Sequence, residues 1–184
     1  MKKYILIAGV NGAGKSTLYQ TIDSLKNVKR INTDEIVRGF GDWRNGKDVV
    51  KAGKIAVNLI NEYFEKGISF NQETTLCGSS IIRNINKAKE SGYEIELHYV
   101  GVDSVEIAKA RIAHRVAHGG HGIPDSDVER RYDESLKRLK EVMPECNLAV
   151  LYDNTTSFNR FAIYKNGELI RLSKKTPNWF NNLK

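Results

Sequence analysis

Two hydrophobic rhythms alternate along this chain. Short, nearly continuous apolar runs at residues 4–10, 28–32, 68–75, 94–102 and 148–153 read as strands. Between the second and third runs the apolar positions fall three and four apart. Val49, Val50, Ala52, Ile55, Ala56, Leu59, Ile60, Tyr63 and Phe64 mark a long helix there, closed by Gly67. Residues 80–91 form another, with a serine available at the N-cap and Gly92 at the C-terminal cap. Asp103 with Glu106, and Ser126 with Glu129, read as capping boxes opening two further helices, the second ended by Pro144. On that last helix Val128, Tyr132, Leu136, Leu139 and Val142 form a packing stripe. Strands alternating with helices in this way predict an α/β fold around a parallel sheet.

After the fifth strand the pattern changes. Residues 161–164 and 169–172 flank Lys165-Asn166-Gly167-Glu168, the signature of a tight β-hairpin, expected as an appendage to a single domain spanning 1–184. The region 158–184 is then hairpin plus tail, and the tail is expected to dock by one aromatic anchor from Trp179 and Phe180. A chain of 184 residues can bury a continuous core without disulfides, and Cys77 and Cys146 lie outside any metal-ligand spacing, as in a reducing compartment. No apolar run approaches the roughly 20 residues needed to cross a bilayer. The opening Met1-Lys2-Lys3 leads into a strand instead of a signal-peptide core, so no membrane contact and a cytoplasmic location are expected. The net charge of +7 and pI near 9.3 would permit nucleic-acid binding, but the basic residues are scattered. Anionic small ligands account for the charge equally well.

The chemistry is announced by GVNGAGKST, which follows the first strand directly and fits the phosphate-cradling P-loop pattern GxxxxGKS/T. Gly9, Gly12 and Gly14 let the backbone curl so that successive N–H groups point inward, joined by Asn11, Ala13 and the unpaired donors of the helix that follows. Lys15 can reach the β and γ phosphates of a nucleoside triphosphate, the Ser16 hydroxyl suits Mg²⁺, and Thr17 completes the cradle. A P-loop alone does not separate a kinase from a GTPase, a motor or a transporter ATPase.

The second strand says more. It ends Arg30-Ile31-Asn32-Thr33-Asp34-Glu35, and in open parallel sheets the ligand crevice lies beyond the strand C-termini. A carboxylate delivered there, Asp34, could take the proton of an attacking acceptor hydroxyl, or simply cap the next helix. The third strand ends on the same edge with Glu73, Thr74 and Thr75, oxygen groups suited to an acceptor or a metal-bound water, although threonines are also ordinary strand residues. Residues 111–131 resemble a lid: Arg111 and Arg115 share a helix face, a Gly-rich stretch around His121 could hinge, and Arg130 and Arg131 follow. His114, His118 and His121 lack the HExxH arrangement and a cysteine partner, so substrate-facing or exposed histidines are expected instead of a zinc site.

Taken together, GVNGAGKST, Asn32-Thr33-Asp34-Glu35, Glu73-Thr74-Thr75-Leu76 and the Arg-Val-Ala-His-Gly-Gly-His-Gly-Ile-Pro lid with Arg130-Arg131-Tyr132 resemble the zeta toxin family of P-loop kinases, over roughly residues 1–154. The resemblance implies a nucleoside-kinase-like three-layer sandwich with a five-stranded parallel sheet in the order 2-3-1-4-5. It also implies ATP or GTP with Mg²⁺ as donor, phosphoryl transfer to a hydroxyl, and a small antitoxin as possible partner. Zeta toxins proper phosphorylate UDP-N-acetylglucosamine on its sugar. Carried over, Asp34 is the catalytic base, Lys15 and Ser16 hold phosphates and Mg²⁺, Glu73 and Thr75 bind the acceptor, and Arg115 with Arg131 reach the γ-phosphate. The motif does not separate Arg115 from Arg111, or Arg131 from Arg130. Thr74, Arg111 and His121 complete the set of candidate substrate contacts. The chain has only a hairpin and tail where larger zeta toxins have a long C-terminal region, so acceptor identity does not carry over with the motifs. A nucleotide-binding regulatory module with little turnover is the competing expectation.

Overall fold

The structure, a computed structural model, describes residues 1–183; the last residue of the expected tail, Lys184, lies outside them. Its elements run β1 (Lys3–Ala8), α1 (Lys15–Thr21), β2 (Lys29–Ile31), α2 (Thr33–Arg38), α3 (Gly46–Glu65), β3 (Phe70–Thr74), α4 (Ser80–Glu90), β4 (Glu94–Gly101), α5 (Val105–Ala117), α6 (Asp125–Val142), β5 (Leu148–Asp153), β6 (Asn159–Lys165), β7 (Glu168–Leu172) and α7 (Asn178–Asn181). The first five strands are parallel and lie in the order β2-β3-β1-β4-β5. The hairpin is no appendage. β6 pairs antiparallel with β5 and β7 with β6, extending the sheet to seven strands.

Helices cover both faces, which explains why β1 is apolar and buried at every position from Tyr4 to Ala8 instead of alternating. On β1, Tyr4, Leu6 and Ala8 join a core with Ile60 and Phe64 of α3 and Ile81 and Ile85 of α4. Ile5 and Ile7 pack on the other face with Leu18 of α1 and Ala108 and Ile112 of α5. Phe70 sits at the centre of an aromatic cluster, 5.0 Å from Tyr4 and 5.1 Å from Phe64 between ring centroids. Such pairs contribute about 0.5–1.5 kcal/mol each beyond the area they bury.

Three local expectations give way to tertiary structure. The N-cap of α5 is Ser104, whose hydroxyl accepts from the Ile107 N–H, while Asp103 is turned to the tail. Its carboxylate accepts from the Trp179 N–H at 2.9 Å and from the Asn178 amide at 3.1 Å. Ser126 likewise lies inside α6, which opens after Pro124 with no side-chain cap. The tail docks through both aromatic residues, because Trp179 packs on Tyr99 and Phe161, and Phe180 also reaches Phe161. Trp179 lies so close to the sheet that a Cβ on Gly101 would stand 2.3 Å from its ring.

Candidate active site

The C-terminal ends of β1, β2 and β3 carry the site. After β1 the chain turns through Gly12 and Gly14 at positive φ, 82° and 109°, where glycine alone is unstrained. The turn is clasped from two sides. A Cβ on Gly12 would stand 2.5 Å from the Ala108 carbonyl of α5, and the Asn154 amide, just past β5, donates to the Ala13 carbonyl at 2.8 Å. Gly14 is the N-cap of α1 and offers no side chain to the helix's first N–H groups. Lys15 is only 8% exposed, and its ammonium donates to the Gly9 and Val10 carbonyls at 2.9 and 3.2 Å. Burial lowers its pKa, against the opposing pull of the Glu73 and Asp34 charges.

A cavity of about 360 Å³ lies over this turn, lined by Asn11, Gly12, Gly14, Lys15, Ser16 and Thr17 and walled by Arg111, Arg115 and Asn154. The two arginines are held by backbone carbonyls: Arg111 donates to Asn154 O at 2.7 Å, and Arg115 Nε to His121 O at 2.8 Å. One buried guanidinium nitrogen on each, Arg111 Nη1 and Arg115 Nη2, has no partner among the described residues. Buried cationic donors without acceptors fit a polyanion. Both candidates therefore meet the P-loop cavity, and spacing alone had no means of choosing between them. Of the second pair, Arg131 donates to Asn11 Oδ1 at 3.1 Å, whereas Arg130 is exposed and engaged by Asp127 and Glu134.

A second cavity, about 440 Å³, adjoins the first and shares Asn11, Lys15, Asp34 and Glu73 with it. Asp34 reaches this junction because Asn32, not Asp34, is the N-cap of α2: Asn32 Oδ1 accepts from the Asp34 and Glu35 N–H groups. The Asp34 carboxylate itself has no hydrogen bond or ion pair among the described residues. Glu73, by contrast, is tied down, accepting from Arg30 Nη2 at 2.7 Å and Asn32 Nδ2 at 3.0 Å. The Thr74 hydroxyl is spent locally on the Leu76 N–H at 3.0 Å, where buried Leu76 adopts a positive φ of 64°. Thr75 and His121 line the same cavity. His121 has its pKa lowered by burial, so the ring is neutral at pH 7. The His114 and His118 rings meet at a tilt, 4.4 Å between centroids and 31° between planes, away from both cavities.

Of the remaining P-loop positions, Gly9 supplies a carbonyl to Lys15, and Ala13 is wholly buried in the core. The sequence pattern passed over Trp43, in the loop between α2 and α3. Trp43 lines the second cavity, with its ring 4.8 Å from that of His121. Arg30 was missed as the cation opposite Glu73; its position on β2, two residues before Asn32, was the available signal. Ser16, Asp34 and Glu73 supply hard oxygen donors beside the P-loop, a set whose chemistry fits Mg²⁺.

Comparison with known proteins identifies the family and the fold. The zeta toxin family model matches residues 1–168. An uncharacterized protein of Haemophilus influenzae is 38% identical over 131 residues, 71% of this chain and 92% of that protein. Among solved structures, the AvrRxo1-ORF1:-ORF2 complex with ATP superposes with a TM-score of 0.74 at 15% identity, covering 93% of this chain and 60% of that one. The chain thus spans less than two thirds of that protein. The PezAT chromosomal toxin-antitoxin system of Streptococcus pneumoniae gives 0.62 at 16% identity, over 100% of this chain and 76% of that one. These two likenesses establish the fold, a P-loop kinase-like α/β architecture.

Proposed function

The chain belongs to the zeta toxin family, and from that premise we propose that it is an ATP-dependent phosphotransferase acting on a hydroxyl of a small metabolite. One observation carries the proposal: Asp34 is an unengaged carboxylate at the junction of the P-loop cavity and a second cavity large enough for an acceptor. In the reaction the acceptor oxygen bonds to the γ-phosphorus, its proton passes to Asp34, the bond to the β-phosphate oxygen breaks, and ADP leaves. Lys15, Arg115 and Arg131 stabilise the charge gathering on the transferring oxygens, as such groups do in phosphoryl transfer. Arg111 holds the loop after β5 against the donor. Ser16 would hold Mg²⁺, which would supply neutralising positive charge to the donor's phosphates. The 111–131 segment acts as the lid over donor and acceptor.

ATP as the donor is supported by the AvrRxo1 complex with ATP. The PezAT toxin-antitoxin likeness supports a small antitoxin as partner. UDP-N-acetylglucosamine is the first acceptor to try, on family grounds. The test is an unbiased acceptor search: incubate the protein with ATP and a cell extract, and identify by mass spectrometry the metabolites that gain one phosphoryl group. Lys15→Ala should abolish every hit. Asp34→Asn should retain ATP binding and lose turnover by about 10²–10⁴-fold. Tight ATP binding with no phosphorylated metabolite would refute the proposal in favour of a regulatory nucleotide-binding module.

A further inference from the structure

The tail that follows β7 is tied to the donor site through two carboxylates. Asp103 accepts from the Trp179 backbone N–H at 2.9 Å, and Asp153, the last residue of β5, accepts from the Trp179 indole N–H at 3.0 Å. Both acids then meet one side chain. The Thr155 hydroxyl donates to the Asp153 carboxylate at 2.7 Å and accepts from the Asp103 backbone N–H at 3.1 Å. Trp179, 2% exposed, thus fixes both partners of Thr155 at once.

Thr155 belongs to the loop 154–157, and that loop is fastened to the donor cavity in two places. The Asn154 side-chain amide donates to the Ala13 carbonyl inside the P-loop. The Asn154 and Thr155 carbonyls accept from Arg111 Nη2 at 2.7 and 3.3 Å, while Arg111 Nη1 is the buried donor without a partner among the described residues. These carbonyls therefore set where that free donor stands in the cavity wall. The root of the loop is held from below as well: the Asn154 N–H donates at 2.9 Å to the carbonyl of Gly101, the glycine on which the Trp179 ring lies. Elsewhere the tail and the loop stand apart. A cavity of about 420 Å³ is lined by Thr155, Thr156 and Ser157 of the loop and by Lys175, Thr176 and Asn178 of the tail. The two segments are thus coupled by the hydrogen bonds at Asp103 and Asp153 and not by packing along their length.

We infer that the docked tail is part of the nucleotide-binding apparatus, with Trp179 as a positioning residue that acts on ATP through Asp103, Asp153 and the 154–157 loop. Docked, the tail holds Asn154 on the P-loop and Arg111 in the cavity wall. Released, it exposes both acids and Thr155 to water, and the loop loses the bonds that fix its root. A ligand that needs this loop in place binds the docked form more tightly and, by linkage, itself favours docking. The family match covers residues 1–168, so the tail lies beyond it. The inference rests on the donor half of the phosphotransferase proposal, ATP over the P-loop, and is independent of the acceptor.

Calorimetric ATP titration and timed proteolysis of the whole chain test it. Trp179→Phe keeps an aromatic ring but removes the indole N–H, and should raise the ATP Kd by about fivefold or more. Phe64→Leu, in the aromatic cluster beside α3, is the destabilised control: its Tm should fall while its ATP Kd stays within about twofold, because binding reads only the folded fraction. Saturating ATP should slow cleavage of the wild type near 173–178 by about fivefold or more, the reciprocal of its own tighter binding. Thr155→Val breaks the link while leaving both Trp179 bonds in place. Without ATP its tail should be cut at about the wild-type rate, and ATP should protect it by less than about twofold. In the double variant with Trp179→Phe the two effects on Kd should not add. An ATP Kd unchanged by Trp179→Phe, an equal rise in Phe64→Leu, or a tail cut equally fast with and without ATP would overturn the inference while leaving the donor site in place. A wild-type chain that binds no ATP would overturn both.

Discussion

Replacing Asn32 with alanine should destabilise the protein and disable the site together, because one buried amide holds three elements in register. Its Oδ1 caps α2, and its Nδ2 donates to Glu73 at the end of β3. Loss of an N-cap costs about 1 kcal/mol. A hydrogen bond to a charged acceptor is worth about 1.5–3 kcal/mol, and Asn32 is 6% exposed, so water cannot readily replace it. The sum is about 3 kcal/mol. For a chain of this size each kcal/mol moves Tm by about 2–4 °C, giving a fall of about 6–12 °C by calorimetry or circular dichroism. Asn32→Ser separates the two contributions, since serine caps as well as asparagine but is too short to bridge to Glu73. Its Tm should lie between those of the wild type and Asn32→Ala. In turnover both variants should lose more than they lose in ATP affinity, since the Asp34 backbone N–H is anchored on Asn32 while the P-loop is not. An Asn32→Ala protein melting within about 1 °C of wild type would refute the cap and the bridge alike. A serine variant as unstable as the alanine one would refute the cap alone.

Three further outcomes follow from the same geometry. Arg131→Ala should reduce phosphoryl transfer by at least about 10²-fold while Arg130→Ala leaves it within about threefold, because only Arg131 reaches the P-loop; equal effects in a steady-state assay would contradict the assignment. Burial lowers the Lys15 pKa from 10.5, so between the lowered value and 10.5 the unfolded chain holds a proton that the folded one lacks. Ligand-free stability should therefore gain a contribution as pH rises through that window, absent in Lys15→Met, and ATP affinity should fall over the same range. Melting curves and calorimetric titrations from neutral pH to 10.5 check both signs. Finally, Gly101→Ala should undock the tail, since the added Cβ meets the Trp179 ring at 2.3 Å. Its Tm should approach that of Trp179→Ala, a loss of about 3–5 kcal/mol, and protease should cut near 173–178 in both.

What could be read in the sequence was what the chain encodes locally. The five parallel strands, the long α3 and the Asn-Gly turn were legible because period and turn chemistry are properties of neighbouring residues. The P-loop was legible because one continuous segment builds it. Asp103 and Asn32 show where such reading stops. Each has a local pattern that suits a cap, but Asp103 is taken by Trp179, 76 residues away, and Asn32 turned out to be the cap that leaves Asp34 free. The hairpin looked like an appendage because β6 carries apolar residues in too short a run to announce a partner. Its pairing with β5 is a tertiary fact that brings Ala162 and Phe161 into the core, where Trp179 and Phe180 of the tail also cover Phe161.

The same distinction separates the two halves of the site. The phosphate cradle is backbone and one lysine from a single turn, so its chemistry is fixed wherever that turn occurs, and only its walls, Arg111, Arg115 and Asn154, come from elsewhere. The second cavity takes Asp34 from α2, Glu73 from β3, Trp43 from a loop and His121 from the segment before α6, and nothing in any one segment constrains the others. Trp43 in particular makes no contribution to the cradle that binds phosphate. Its replacement should alter the second cavity without disturbing the P-loop. A family built on this plan can therefore keep one donor and diverge in acceptor by altering the loop between α2 and α3 and the lid segment facing it. Swapping residues 40–45 between two such proteins should move acceptor preference while leaving ATP affinity where it was.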